Sequence, residues 1–187
     1  MNQDDLIDKQ KILKQYWGHK TFRPLQEEVI NQILQKKDVL ALLPTGGGKS
    51  LCYQFPALMM NGVCLVISPL IALMKDQVDL LKKKGIKADL INSTLSKSAI
   101  DRILDNAIYG KTKMLYLSPE RIQSELFQER LKKMKVSFIA VDEAHCISQW
   151  GYDFRPSYLN LSTLRELKPN SSLMAVIASA TTKVFED

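Results

Sequence analysis

Val39-Leu-Ala-Leu-Leu-Pro-Thr-Gly-Gly-Gly-Lys-Ser50 is an apolar run of strand length, then a glycine turn, then the entry to an apolar stretch beginning at Leu51. A strand, a glycine turn and a helix, in that order, build a phosphate-binding loop. Gly46, Gly47 and Gly48 allow successive backbone N–H groups to turn inward without Cβ clashes, and the helix N-terminus behind them adds its dipole. Thr45 belongs to the same cradle, Lys49 would reach the β- and γ-phosphates of a nucleotide, and the Ser50 hydroxyl would reach Mg²⁺. The plainer alternative is a glycine-rich turn ahead of an unrelated helix.

A second stretch favours the chemical reading. Phe138 to Val141 read as a buried strand, so Asp142 and Glu143 emerge at its C-terminal end, where open α/β sheets bind ligands. Carboxylates there can hold a metal ion and orient a water, with Asp142 expected to approach the Mg²⁺ on Ser50 from the neighbouring strand end. Trp150, Tyr152, Phe154 and Arg155 follow in a Gly- and Pro-containing loop, where flat side chains could stack on bases. The alternative for these rings is a local hydrophobic plug that holds the loop down.

Short apolar runs alternate with amphipathic stretches along the whole chain, which predicts an α/β fold with a mostly parallel sheet and helices on both faces. Strands are expected near Val39–Leu43, Val63–Ser68, Ala88–Asn92, Met114–Ser118, Phe138–Asp142 and Ala175–Ser179. Leu70, Leu73, Met74, Val78 and Leu81 keep helical spacing, and that helix ends in Lys82, Lys83 and Lys84 before Gly85. Ile100, Ile103, Leu104 and Ile108 mark another helix, opened by Ser98-x-x-Asp101 and closed by Gly110. An earlier helix is expected to start around Pro24, with Glu27 and Glu28 in its first turn.

With 187 residues the chain fits one domain, burying roughly 70% of its unfolded surface. The formal charge of +6 suits a polyanionic partner and equally suits solubility. Cys52, Cys64 and Cys146 are odd in number, widely spaced and set among apolar residues, as reduced core thiols are. No apolar run approaches membrane-spanning length, so no membrane partner is expected and a cytosolic setting is. No repeat or low-complexity tract interrupts the chain.

Upstream of the first strand, Gly18-His-Lys-Thr-Phe-Arg-Pro-Leu-Gln26 can fold back over the phosphate loop. The Gln26 amide could pair with adenine N6 and N7, while His19 and Arg23 offer flat groups to sandwich the ring. Alternatively Phe22 and Leu25 are core, and the polar three are surface.

Taken together these residues resemble the RecQ family of ATP-dependent DNA helicases, in their first RecA-like motor domain. Leu43-Pro-Thr-Gly-Gly-Gly-Lys-Ser-Leu-Cys-Tyr-Gln54 is similar to the family's first motif. It lacks the first glycine of G-x-x-x-x-G-K-[ST], where Leu43 stands, in the manner of nucleic-acid-dependent ATPases. Ser68-Pro-Leu-Ile-Ala-Leu-Met-Lys-Asp-Gln77, Ser118-Pro-Glu-Arg121 and Ser179-Ala-Thr181 resemble further motifs. Asp142-Glu-Ala-His145 is of the DEAH type, and Ser148-Gln-Trp-Gly-Tyr-Asp-Phe-Arg-Pro156 resembles the aromatic-rich loop that marks the family. The match runs from about Trp17 to Thr181, with residues 1–20 as an N-terminal helical segment.

The resemblance implies ATP and Mg²⁺ as cofactors. Lys49 and Ser50 would hold phosphates and metal, Asp142 the metal, Glu143 the attacking water, and His19, Arg23 and Gln26 the adenine. Ser68, Pro69, Ser118 and Arg121 would meet the backbone of single-stranded DNA, and Trp150, Tyr152, Phe154 and Arg155 its bases. His145, Ser179 and Thr181 would couple the two sites. Tyr152 stands where many members have histidine, and Ser179 where many have threonine. The motifs of a second motor domain, with its arginine finger, and of the zinc-binding and winged-helix modules do not occur. A fragment is therefore expected, able to bind ATP and DNA weakly but not to unwind. The implied parent moves 3′ to 5′ on single strands and unwinds duplex DNA in a bacterial cytoplasm (or, in a eukaryote, a nucleus), with replication or repair proteins as possible partners. The competing readings are a non-motor nucleic-acid-binding module and an ATP-switched interaction module.

Overall fold

Val63-Cys-Leu-Val-Ile67 carries no polar side chain, and all five residues are buried. A strand buried on both faces belongs in the middle of a layered fold. The computed structural model, which describes residues 3–44, 46–148 and 154–178, puts it there. The strands are β1 (Val39–Leu42), β2 (Val63–Ile67), β3 (Ala88–Ile91), β4 (Met114–Leu117), β5 (Val136–Val141) and β6 (Ser172–Ile177). They form one sheet in the order β1-β6-β5-β2-β4-β3, with every pairing parallel.

The period of two along each strand divides the core. Val63, Leu65 and Ile67 face one layer, packed with Ile100, Leu104, Phe127, Leu131 and Leu164. These come from α5 (Lys97–Tyr109), α6 (Glu125–Lys133) and α7 (Leu161–Leu167). Cys64 and Val66 face the other layer with Ile33, Tyr53, Met74 and Leu81, from α2 (Gln26–Leu34), α3 (Lys49–Met59) and α4 (Ile71–Lys83). The N-terminal α1 (Gln3–Trp17) adds a smaller cluster in which Leu13 meets Ile30, Leu51 and Phe55. Phe22 seals it, edge-on to Phe55 at 4.9 Å.

Several boundaries differ from the sequence expectation. Ser96, not Ser98, caps α5: its hydroxyl accepts from the Ala99 N–H at 3.3 Å, and Asp101 turns instead to Arg130 at 2.5 Å. Pro24 precedes α2, because Leu25 adopts a left-handed φ of 68° and the helix starts only at Gln26. The last strand begins earlier than Ala175, at Ser172, where the Leu173 N–H is fixed by the Asp38 carboxylate at 2.8 Å. The lysine-terminated helix ends as expected, with Gly85 at φ 76°. All three cysteines are buried, and burial pushes the Cys52 thiol up to about 12.

Phe138 on β5 is fully buried between β2 and β6. Phe138→Ala is expected to cost about 3–5 kcal/mol, read as a lower urea midpoint with an unchanged slope.

Candidate active site

All six strands run parallel, so their C-terminal ends share one edge. The chain leaves β1 at Leu43, whose N–H still donates to Ile177 O at 3.0 Å. It then turns tightly, with the Gly47 N–H on Pro44 O at 2.8 Å. A Cβ on Gly47 would lie 2.7 Å from that oxygen, and Gly46 and Gly48 sit at φ 75° and 77°. The turn is therefore restricted to glycine by space at one position and by backbone conformation at two.

The buried Gln26 amide grips this loop. Its Nε2 donates to Gly47 O at 2.9 Å and Gly48 O at 3.3 Å, and its Oε1 accepts from the Arg23 N–H at 2.9 Å. Nε2 lies so close that a Cβ on Gly48 would stand 2.4 Å away. Arg23 Nη1 holds Gly46 O. The sequence expectation had these two side chains on adenine, and here they hold three successive loop carbonyls. They also line, with Trp17, His19, Gly48 and Ser50, a cavity of about 250 Å³ beside the loop. The expected base-binding residues and the loop thus share one hollow.

Across the edge, β5 delivers the acidic pair. The Asp142 N–H continues the ladder to Ile67 O at 2.8 Å, and its carbonyl accepts from the buried Tyr158 hydroxyl at 2.9 Å. Burial, and then the neighbouring charge of Glu143, push the Asp142 carboxyl above the usual carboxylate range. Glu143 takes a left-handed φ of 50°, uncommon for a residue with a side chain. That bend lets its N–H cap Asp142 Oδ1 at 3.1 Å and points its carboxylate at Lys49, 3.2 Å away. His145 Nδ1 lies 3.4 Å from the other Glu143 oxygen without hydrogen-bond alignment. One expectation needs correction: β5 is not the neighbour of β1, since β6 lies between them. Lys49 spans that gap.

The donors here suit Mg²⁺. Among the described residues no cluster of three or more His, Cys, Asp or Glu could hold a metal, but Mg²⁺ prefers one or two carboxylates completed by phosphates and water. Asp142 and the Ser50 hydroxyl, which meets the buried Tyr53 hydroxyl, are hard oxygens of that kind. A desolvated carboxylate beside a second one is a place where a cation lowers the free energy.

Farther along the edge the expected nucleic-acid contacts divide. Pro69 is half-buried, with Leu70 and Ile71 exposed beside it. Ser68 and Ser118 are buried; Ser68 Oγ has no hydrogen-bond partner among the described residues, and the Ser118 hydroxyl bonds the Glu120 carboxylate. Arg121 Nη2 donates to Asn92 O at 2.8 Å, and Arg155 reaches toward Pro69 O at 3.4 Å. Phe154 and Arg155 are half-buried. Thr45, Trp150, Tyr152, Ser179 and Thr181 lie outside the described residues.

Three features had gone unread. Tyr158 holds the acidic strand end, and its signal was a lone aromatic two residues past Pro156. Gln54 donates to Gln77 at 2.7 Å and Tyr116 at 3.2 Å, a buried polar bridge from α3 to α4. Burial opposes ionisation of Glu120, yet its own N–H, the Ser157 and Ser118 hydroxyls and the Arg155 charge together hold its carboxyl below the usual range.

A family model described as DEAD/DEAH box helicase matches residues 23–187. The chain is 50% identical over 169 residues to the ATP-dependent DNA helicase RecQ of Haemophilus influenzae, covering 90% of this chain and 27% of that protein. It is 48% identical to the Bacillus subtilis RecQ (95% and 30%) and 44% identical to the Mus musculus ATP-dependent DNA helicase Q1 (94% and 28%). The chain thus spans less than a third of these relatives' length. Among solved structures, the DUF1998 helicase MrfA superposes with a TM-score of 0.72 at 16% identity, over 96% of this chain and 30% of that one. At 18% identity a hypothetical ATP-dependent RNA helicase from Sulfolobus tokodaii gives 0.69, over 96% and 53%. These two speak for the fold alone.

Asp142 gives a pH test. Its folded-state pKa is raised, so the charged carboxylate costs stability above that pKa, and the cost vanishes below the unfolded value. Asp142→Asn is expected to raise the melting temperature of the nucleotide-free protein at neutral pH. The gain should shrink as pH falls through the Asp142 pKa; a gain independent of pH would reject the assignment.

Proposed function

The chain belongs to the DEAD/DEAH box helicase family, and on that premise we propose that residues 1–187 form the first RecA-like motor domain of a RecQ-like DNA helicase, with residues 1–20 as its N-terminal helical segment. It would bind ATP and Mg²⁺ at the phosphate loop and single-stranded DNA across the same sheet edge, driving 3′ to 5′ movement and unwinding in a protein of its relatives' length. The observation that carries this reading is the Lys49–Glu143 pair at 3.2 Å, which joins the phosphate loop to the acidic strand end. Relatives at 44–50% identity are named ATP-dependent DNA helicases. No helix among the described residues is long and apolar enough to cross a membrane; we place the protein with DNA in a bacterial cytoplasm, where replication or repair proteins could be its partners.

The resting pair sets the order of events. An incoming triphosphate competes with Glu143 for Lys49, so Lys49 moves to the β- and γ-phosphates and Glu143 is freed. Mg²⁺, held by Ser50 and Asp142, would neutralise phosphate charge when bound. Glu143 then accepts a proton from water as the water oxygen bonds to the γ-phosphorus and the bond to the β–γ bridging oxygen breaks. His145, beside the second Glu143 oxygen, is placed to orient that carboxylate. The Gln26 and Arg23 bonds to the loop would exchange in part for the base. Ser179 and Thr181 complete the proposed coupling set, and Trp150, Tyr152, Phe154 and Arg155 the stacking set.

Three substitutions separate these roles. By calorimetric titration with ATP and Mg²⁺, Lys49→Ala is expected to lose binding, and affinity equal to the parent would reject the site. Glu143→Gln is expected to bind ATP more tightly than the parent, because Lys49 is released beforehand. Phe154→Ala should weaken single-stranded DNA binding by about 1–3 kcal/mol and leave ATP affinity unchanged; a change in both would return Phe154 to a packing role.

A further inference from the structure

The net charge of +6 is not concentrated at the candidate active site. At the opposite edge, where the strands begin, lie two adjoining clefts of about 400 and 370 Å³ that share Gly110, Lys111 and Thr112. Five lysines line them: Lys82, Lys87, Lys111, Lys113 and Lys135. The one acid in the lining, Asp89, is already engaged by Lys82 at 3.4 Å and Thr112 at 3.3 Å. Lys113 donates to Met60 O at 2.8 Å. Lys87, Lys111 and Lys135 are exposed and have no ion pair among the described residues.

Helix dipoles account for only one of the five, Lys82. Lys82 and Lys83, and Lys132 and Lys133, close α4 and α6 as cations at helix ends do. Lys87, Lys113 and Lys135 instead stand immediately before β3, β4 and β5, and Lys111 lies in the loop after α5. In the order β5-β2-β4-β3 they form a row about 14 Å long, three strand spacings. The break at β2 is filled by Gly62, where a Cβ would strike Lys135 O at 2.5 Å, so no side chain rises there. The strands set this row roughly 13–20 Å from the active-site edge, beyond a Debye length of about 8 Å at physiological salt. The two fields act separately.

We propose that this lysine-lined double cleft binds the phosphate backbone of duplex nucleic acid. No aromatic ring lines either cleft, which disfavours single strands, whose binding relies on stacking. Nor is there an apolar anchor site flanked by Arg forks, as an acidic protein segment would use. A straight row of compact ammonium groups on rigid strand starts matches a stiff, evenly charged rod. The site goes beyond the motor reading and stands independently of it.

The test measures binding of labelled blunt duplex DNA by this chain across a salt series. The triple variant Lys87→Gln/Lys111→Gln/Lys135→Gln should lower the log–log salt slope by about 2.7, or 0.9 per neutralised phosphate. The corresponding Arg triple should keep the parent slope. Lys132→Gln/Lys133→Gln, which removes dipole-matched lysines, should also leave it unchanged, and ATP affinity should be equal in all variants. An unchanged slope in the Gln triple overturns the proposal, as does an equal loss in the Lys132/Lys133 pair, which would mean diffuse electrostatics. Polyglutamate binding that depends on the same three lysines, without duplex binding, overturns it in favour of an acidic protein partner.

Discussion

The Lys49–Glu143 ion pair can exist only because the strands are parallel and end together. Lys49 starts the helix after β1 and Glu143 follows β5, yet β6 separates those strands, and 94 residues separate the two side chains in sequence. A one-residue slip in β5 would turn its alternating side chains over and carry the acidic pair to the wrong face. Register in β5 is held by Phe138, Ala140 and their partners in the buried layer. The chemistry at the edge thus depends on packing in the middle. The pair is partly buried, with side-chain exposures of 16% and 22%, so it is screened less by salt than a surface bridge would be.

Much of this was legible in the sequence. Strands that are apolar on both faces announce themselves, and the glycines of the phosphate loop are forced by backbone conformation and space. What escaped was whatever depends on a second, distant residue. Ser98 and Asp101 carry the letters of a capping box, but Arg130 from α6 claims Asp101, and Ser96 takes the cap. Pro24 suits a first helical turn, yet the left-handed Leu25 puts it outside. That the Gln26 amide also ties the Arg23 N–H to the carbonyls of Gly47 and Gly48 depends on a loop 21 residues away. Strand order was invisible for the same reason: nothing local in β1 or β5 says that β6 comes between.

Charge repeats the point. Composition reports an excess of cations and invites one basic track along the functional edge. The fold sends many lysines to the opposite edge, where some close helices and others stand just ahead of β3, β4 and β5. The sites at the functional edge are instead mixed in sign: Lys49 against Glu143, and Arg155 near Glu120. Such a surface selects by geometry more than by attraction at a distance.

Tyr158 closes the loop behind the acidic pair by donating to the backbone carbonyl of Asp142, not to its carboxylate. A second backbone bond, from the Arg155 N–H to Cys146 O at 2.9 Å, closes the same segment from the other side. Every residue has a main-chain carbonyl and all but proline an N–H, so these joints depend little on which side chains occupy positions 142, 146 and 155. The ends of the segment are therefore anchored by the backbone, which leaves the side chains of Phe154 and Arg155 to answer to a ligand more than to loop closure. Insertions and deletions are another matter, since they shift the donors past their acceptors. Substitution in this loop thus probes what it touches, whereas a change of its length probes how it is closed.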